Sequence, residues 1–193
     1  MGLILAVRNC LRPIARLQCV REMASEVSRF LHGCESEYRQ AEIRNRYNIH
    51  PSVRWGRGTE LYGTGRIDIG ERTYFGNDCY LSSHPETASI TIGKCCAIAH
   101  NVHIRTSDFK RVPDFREAFD APSEWANIVI GDWCWIGVHV YICAGVKIGD
   151  NVIIGANSVV THDIPSNCVV GGVPARVLHS KSTYTRLASS GGQ

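Results

Sequence analysis

An aliphatic residue recurs at every sixth position between Ile130 and Val160, and this spacing constrains the fold more than any other feature of the chain. An α-helix repeats every 3.6 residues and a single strand every two, so neither produces a strict period of six. A parallel β-helix does, because each flat face of a three-sided coil takes one hexapeptide and turns one aliphatic side chain inward. The spacing therefore predicts an all-β solenoid. The blocks read IGDWCW, IGVHVY, ICAGVK, IGDNVI, IGANSV and VTHDIP.

The same frame continues upstream with interruptions. It spans roughly residues 49–172 and predicts six or seven stacked coils. Glycine usually follows the aliphatic residue, and the fifth position of a block is small or β-branched. We expect both of these positions to lie at the corners of the coil, where the backbone turns tightly. The upstream blocks begin at Ile69, Phe75, Leu81, Ile92, Ile98 and Ile104.

Three regions follow from where the repeat is present. Residues 1–47 lack it and place apolar residues at helical spacing, which predicts an N-terminal helical segment with a second helix from about Ser25 to Arg46. Residues 48–178 form the β-helix domain, although we expect the chain to leave the solenoid after Val173. Residues 179–193 are expected to be a C-terminal tail.

The repeat stops between residues 105 and 127, where charged and proline-containing sequence takes over. A segment of this length without its own periodicity is typical of a functional loop. Extruded from a rigid coil, it is expected to form one wall of a substrate cleft.

Composition narrows the class of protein further. The net charge of +3 argues against a dedicated nucleic-acid binder. The nine cysteines include no C-x2-C pair, so we interpret them as reduced thiols that fill the core of a cytoplasmic protein. The apolar stretch Leu3–Val7 is too short to span a bilayer. Residues 1–30 are basic and amphipathic, so they either pack against protein or lie peripherally on the inner face of a membrane.

The motifs of the C-terminal half resemble those of hexapeptide-repeat acyltransferases. They read IGD-x-x-W-IG from Ile130, GA-x-SVVT-x-D-IP from Gly155 and GG-x-PAR-V from Gly171. The resemblance covers about residues 65–178 and is strongest to the branch of maltose/galactoside, xenobiotic and surface-polysaccharide acetyltransferases. It implies a left-handed parallel β-helix and a homotrimer that binds acetyl-CoA in the groove between adjacent subunits. No metal is expected.

The resemblance also implies which residues line the acetyl-CoA groove. The turn around Ala156 and Ser158 matches the wall against which the pantetheine arm lies. Arg176 stands where a basic residue near the nucleotide is common, and a guanidinium suits a phosphate. His162 replaces the usual lysine beside Thr161. The expected cofactor-binding residues are Ala156, Ser158, Thr161, Gly172, Pro174 and Arg176.

The catalytic base is harder to assign. Acyl transfer to a hydroxyl requires a group that removes its proton, and histidine suits this role because its pKa lies near neutrality. The family supplies a histidine in the loop, but the matching position here is Phe109. Three candidates remain. His100 and His103 point away from the interior in the block that precedes the loop, and Asp108 lies at the start of the loop.

The function that these features favour is acetyl-CoA-dependent O-acetylation of a carbohydrate hydroxyl in bacterial surface polysaccharide, O-antigen or capsule. N-acetylation of an amino sugar or of a xenobiotic amine is a close alternative. A non-catalytic β-helix scaffold would explain the missing loop histidine. A zinc enzyme of the gamma carbonic anhydrase kind would need three converging histidines, for which His100, His103 and His139 are available, although their spacing does not match.

Overall fold

A computed structural model of the protein describes residues 18–108, 116 and 124–181, and the chain divides into two compact units at Arg46. The first unit contains helix α1, Gln18–Arg46. It begins earlier than the predicted second helix and ends at the predicted residue. No helix among the described residues is long and apolar enough to cross a membrane. Several large apolar side chains of α1 are exposed, among them Met23, Val27, Phe30, Leu31 and Tyr38.

The second unit is a coil whose strands, numbered β1–β18 along the chain, form three mainly parallel sheets. Face A contains β1 (Asn48–Ile49), β3 (Arg66–Ile69), β6 (Ser89–Ile92), β11 (Ile128–Ile130) and β14 (Lys147–Ile148). Face B contains β4 (Tyr74–Phe75), β7 (Ala97–Ile98), β12 (Trp135–Ile136), β15 (Ile153–Ile154), β17 (Cys168–Gly171) and β18 (Arg176–Ser180). Face C contains β2 (Glu60–Tyr62), β5 (Tyr80–Ser82), β8 (His103–Arg105), β13 (Tyr141–Ile142) and β16 (Val159–Val160).

The chain visits faces A, B and C in turn, which confirms the parallel β-helix. It completes five coils and adds a partial sixth, made by a bridge at Ile164 and by β17. This is fewer than the six or seven coils predicted. The difference arises because the loop at residues 105–127 and the bulge around His84 and Pro85 lengthen the sequence without adding a turn.

The aliphatic residue of each block points inward and forms the core. Ile98, Ile104, Ile136 and Ile142 are completely buried, and their counterparts in the other coils are nearly so. Each such side chain contributes roughly 1.5–3 kcal/mol through removal of apolar surface from water. Four of the described cysteines also lie in the core, as the sequence predicted: Cys79, Cys96, Cys134 and Cys168.

The corners of the coil differ from the prediction in two ways. The small residue at the fifth position points inward, since Val140, Val146 and Val152 are buried. The left-handed backbone conformation that turns the chain lies one residue earlier, as at Asn151 (φ 54°). The glycine after the aliphatic residue is needed for a different reason. A Cβ atom at Gly137 would lie 2.6 Å from the backbone nitrogen of Ala156 in the next coil.

The C-terminal end of the coil also departs from the prediction that the chain leaves the solenoid after Val173. The backbone turns back instead, and β18 pairs antiparallel with β17. This strand covers the edge of face B in the last coil. An uncovered edge would expose a row of unpaired backbone groups.

The predicted loop begins with a short antiparallel ribbon. Strand β9 (Ser107–Asp108) pairs with β10 (Glu124–Trp125), so that Asp108 lies opposite Glu124. The ribbon closes the base of the loop directly beside face C. Residues 109–115 and 117–123 lie outside the described part of the chain.

We predict that Gly137→Ala lowers the free energy of unfolding by about 1–3 kcal/mol, the usual cost of overpacking a tight site. The new Cβ would meet backbone atoms of the next coil, at 2.6 and 2.8 Å, which cannot rotate away. Gly155→Ala is the matched control, because its Cβ would find its nearest neighbour at 3.5 Å. Urea unfolding of both variants measures the difference, and equal stabilities would contradict close approach as the reason for glycine at this position.

Candidate active site

A column of polar and aromatic side chains runs along the outer surface of face C. Tyr80, His103 and Tyr141 occupy the same register position in three successive coils, and Val159 follows in the next. The His103 ring lies 5.9 Å from the ring of Tyr80 and 6.4 Å from that of Tyr141, measured between centroids. The parallel sheet places these residues together because each precedes an inward-pointing aliphatic residue.

Asp108 lies beside this column at the base of the loop. Its carboxylate accepts a hydrogen bond from the Tyr141 hydroxyl at 3.4 Å and another from the backbone N–H of Ala144 at 3.1 Å. Burial raises the pKa of the Tyr141 hydroxyl, and the negative charge of Asp108 acts in the same direction. Tyr141 is therefore a protonated hydrogen-bond donor at neutral pH.

His103 is the exposed histidine of this column. Within the described residues, its contacts are the two flanking tyrosine rings, and no hydrogen bond engages its ring nitrogens. An imidazole in this setting can accept a proton from a ligand on face C. The structure thus brings two of the three predicted catalytic residues, His103 and Asp108, to the same part of the surface.

His100 has a different environment. Its Nδ1 accepts a hydrogen bond of 2.7 Å from the backbone N–H of Asn77 in the preceding coil. The Asn77 side chain accepts the Arg57 N–H in the same way, and Asp150 accepts the Asp132 N–H at another corner. Because a backbone N–H only donates, neutral His100 carries its proton on Nε2 and has no free lone pair. This geometry favours a structural role for His100, whose part as a candidate base stays a prediction.

The predicted cofactor residues divide into two groups. The Ser158 side chain is completely buried, and its hydroxyl donates to the carbonyl of Gly155 and accepts the N–H of Gly172. The Ser158 hydroxyl is therefore used inside the coil, and contact between the backbone of this turn and the pantetheine arm stays a prediction. The other five lie at the surface of the last coils: Ala156, Thr161, Gly172, Pro174 and Arg176.

The segment that follows Gly171 lies against face C. The Gly172 carbonyl accepts the N–H of Val159, and the Val159 carbonyl accepts the N–H of Ala175. Val159 continues the outer column that contains His103. The segment with Pro174 and Arg176 therefore lies near the C-terminal end of the same surface.

Two residues that the sequence reasoning missed complete the site. Tyr80 and Tyr141 each precede an aliphatic residue of the repeat, as His103 precedes Ile104, so the period itself could have identified the two tyrosines as neighbours of His103. Phe109, which matches the family's loop histidine, lies outside the described residues. Within residues 18–108 and 124–181, no group of three His, Cys, Asp or Glu side chains could hold a metal ion.

Comparisons with known proteins identify the family of this chain. The model for "Bacterial transferase hexapeptide (six repeats)" matches residues 127–162. The galactoside O-acetyltransferase of Escherichia coli (strain K12) is 35% identical over 151 residues, which cover 76% of this chain and 70% of that protein. The chain belongs to the hexapeptide-repeat acyltransferase family. The putative lipopolysaccharide biosynthesis O-acetyl transferase WbbJ of the same organism is 31% identical, over 75% of this chain and 78% of that protein.

Solved structures of this family have the same fold. A maltose O-acetyltransferase from Clostridium difficile 630 superposes with a TM-score of 0.66 at 30% identity, and the match covers 87% of this chain and 91% of that one. The hexapeptide-repeat acetyltransferase VCA0836 from Vibrio cholerae O1 biovar eltor, complexed with acetyl-CoA, gives a TM-score of 0.61 at 28% identity over 87% and 92%. Membership of the family implies that the coil is left-handed.

We predict that His100→Asn keeps both stability and acetyl transfer, because the asparagine oxygen replaces Nδ1 as acceptor of the Asn77 N–H. His100→Ala should lower the free energy of unfolding by about 1 kcal/mol, since it removes that acceptor. Urea unfolding and CoA release with a soluble sugar measure the two effects. A folded His100→Asn protein that loses activity a hundredfold would instead restore His100 as the base.

Proposed function

We propose that the protein is an acetyl-CoA-dependent O-acetyltransferase that modifies a carbohydrate hydroxyl of a bacterial surface polysaccharide. The observation that supports this best is the outer column of face C, where His103 is available to accept a proton beside the loop. The galactoside, maltose and lipopolysaccharide acetyltransferases among its relatives point to the same acceptor class. The structure of the relative VCA0836 in complex with acetyl-CoA supports acetyl-CoA as the acetyl donor.

Acetyl-CoA would lie along face C, in the groove expected between adjacent subunits. His103 is in the third coil, and the segment containing Arg176 packs against Val159 in the fifth. Parallel strands are separated by about 4.8 Å, so roughly 10 Å or more of coil separates the two ends. An extended pantetheine arm spans such a distance. Arg176 would then bind a phosphate of the nucleotide, and the thioester would lie near His103.

The reaction that we assign to this geometry is a direct acyl transfer. His103 removes the proton of the sugar hydroxyl as its oxygen attacks the thioester carbonyl. The new C–O bond forms and the C–S bond breaks when the tetrahedral intermediate collapses. The imidazolium returns its proton to the departing CoA thiolate, so charge and protons balance.

Tyr141 and Asp108 are proposed to position the site. The tyrosine ring packs parallel to His103, with an angle of 18° between the two planes, and limits how the imidazole can rotate. Asp108 holds the Tyr141 hydroxyl through their hydrogen bond. The carboxylate also accepts the N–H of Ala144, which fixes β9, at the start of the loop, beside face C.

A homotrimer is proposed because face B presents apolar surface that a neighbouring subunit could cover. The Trp135 and Ile153 side chains lie in one column on the fourth and fifth coils of this face, where Trp135 is 56% exposed and Ile153 is half-buried. Burial of this column against face C of a neighbour would create the groove in which acetyl-CoA is expected to bind.

We expect His103→Ala to reduce acetyl transfer by roughly 10²–10⁴-fold, the usual contribution of a general base. The measurement is CoA release over a panel of soluble sugars. The protein should fold normally, because the His103 side chain is exposed and its ring nitrogens have no hydrogen bond to a described residue. Tyr141→Phe, which keeps the ring but loses the bond to Asp108, should have a smaller effect. An unchanged rate in His103→Ala would leave Asp108 as the candidate base.

The donor site gives a separate prediction. Arg176→Ala should weaken acetyl-CoA binding about tenfold or more, because a charge-assisted bond to phosphate is lost. Arg57→Ala, which removes an exposed arginine near the other end of the coil, is the control and should bind normally. Calorimetry measures both affinities, and sedimentation equilibrium checks that the proteins are trimers. A monomeric wild type, or one without affinity for acetyl-CoA at millimolar ligand, would favour the scaffold instead.

The membrane contact of residues 1–30 stays a proposal that depends on sequence, because residues 1–17 lie outside the described part. It would bring the enzyme close to a lipid-linked acceptor at the inner membrane face. Co-sedimentation of the chain with anionic vesicles, with and without these residues, tests it. Equal recovery of the two forms would refute the contact.

A further inference from the structure

A concave surface lies at the corner between faces A and B, and the proposed reaction does not use it. Its volume is about 390 Å³. Because the coil has three sides, this corner lies opposite face C, where His103 and Asp108 are found. We refer to it as the basic corner. Its principal lining residues are Ser52, Arg54, Arg72, Tyr74, Cys95 and Trp133.

The basic corner combines two cations with two aromatic faces. Arg54 and Arg72 are both exposed, and neither guanidinium has a hydrogen bond or ion pair to another residue in the described part of the chain. Arg54 lies in register with Tyr74 of the next coil. The Tyr74 and Trp133 side chains are 44% and 56% exposed. Asp132, the acidic residue beside Trp133, is engaged elsewhere, because it faces Lys94 at 4.0 Å.

The backbone supplies an independent reason to regard this corner as a site. Arg72, Cys95 and Trp133 turn the chain in three successive coils with φ of 58°, 57° and 59°. Bulky side chains rarely adopt this left-handed conformation, which favours glycine, asparagine and aspartate. The next two coils use the favoured residue at the same corner, Asn151 and Asn167. Among the described turns between faces A and B with this conformation, only those that line the concavity depart from the preference, and such departures concentrate at functional positions.

We propose that the basic corner binds an anionic sugar unit of a glycan acceptor. The guanidinium groups would pair with a carboxylate or a phosphate through parallel N–H donors. The tyrosine and tryptophan faces would pack against the apolar face of the sugar ring. This inference rests on the proposed function, and it specifies that the acceptor is an acidic polysaccharide.

The position of the basic corner suggests what binding would achieve. A site remote from the reacting hydroxyl cannot contribute to the chemical step. It can hold one part of a polymer while another part enters the cleft beside His103 of the same or a neighbouring subunit. The second event then occurs at a raised effective concentration, so long chains would be modified at lower concentrations than short ones.

Calorimetry on the full-length protein without acetyl-CoA tests the proposal. The probes are hexagalacturonate, which carries carboxylates, mannose 6-phosphate, which carries a phosphate, and neutral maltohexaose. We expect at least one anionic probe to bind and maltohexaose not to bind. The probe that binds shows whether the acidic group of the acceptor is a carboxylate or a phosphate. Equal binding of the neutral and anionic probes, or no binding of any probe at millimolar concentration, would overturn the proposal.

Two variants test the location without endangering the fold. Arg72→Asn and Trp133→Asn introduce the residue that the same corner uses at Asn151 and Asn167. Their melting temperatures should therefore equal or exceed that of the wild type, while binding of the anionic probe weakens at least tenfold. Arg57→Asn removes an exposed arginine away from the basic corner and should bind as the wild type does. An equal loss in Arg57→Asn would show non-specific charge attraction and refute the site.

Two further measurements separate this inference from the proposed function. Addition of saturating CoA should leave binding of the anionic probe unchanged, and competition would assign the basic corner to the donor and overturn the proposal. Acetyl transfer by the wild type to a small neutral sugar, followed by CoA release, tests the enzyme activity alone. Activity without probe binding refutes only the basic corner, whereas probe binding without activity refutes only the proposed reaction.

Discussion

Each coil of this protein is held by the coil above and below it, through parallel backbone hydrogen bonds and through contact between inward aliphatic side chains. A single coil would expose both its backbone groups and its apolar interior. Backbone hydrogen bonding and burial of the aliphatic side chains are satisfied together only when adjacent coils lie close. Where their backbones nearly touch, only a small residue fits. Gly137, which lies almost on the backbone of the next coil, illustrates how little space remains. The regular stack then determines where every outward side chain is placed.

That regularity converts the outer surface into columns of residues one coil apart. On face C, the column brings His103 between two tyrosines, although the three residues are far apart in sequence. At the corner between faces A and B, the stacking of the coils places an arginine, a cysteine and a tryptophan from three successive turns side by side. Chemistry on such a scaffold is specified by the residues that occupy outward positions, while the inward positions are reserved for stability.

The period of six was sufficient to predict the parallel coil, its aliphatic core, the buried cysteines and the place where the loop interrupts it. It could not distinguish a corner from the interior for the fifth residue of a block, since a small side chain suits both. Val152 lies inside because it sits at the corner where faces A and B meet and leave space only for a short side chain. The reversal of the chain into β18 was missed because it follows no repeat.

The candidate site was predictable only in part. His100 and His103 are both outward positions of one block, and nothing local separates them. The difference is a hydrogen bond from Asn77, a residue more than twenty positions away, which only the stacked coils bring into contact. The burial of the Ser158 hydroxyl has a similar cause, because it bonds to the backbone of Gly155 and of the more distant Gly172. Hydrogen bonds between coils cannot be predicted from the hexapeptide repeat, because the repeat describes the path of one coil and not which side chains meet in the next.

The antiparallel strand at the C-terminal end has a consequence for assembly. A stack of parallel turns is open at its last rung, and another molecule could continue the ladder there and lead to fibres. By folding back on β17, Arg176–Ser180 presents the opposite chain direction at this edge. A further parallel rung would no longer match it, so the chain itself closes this edge of face B against extension by another molecule.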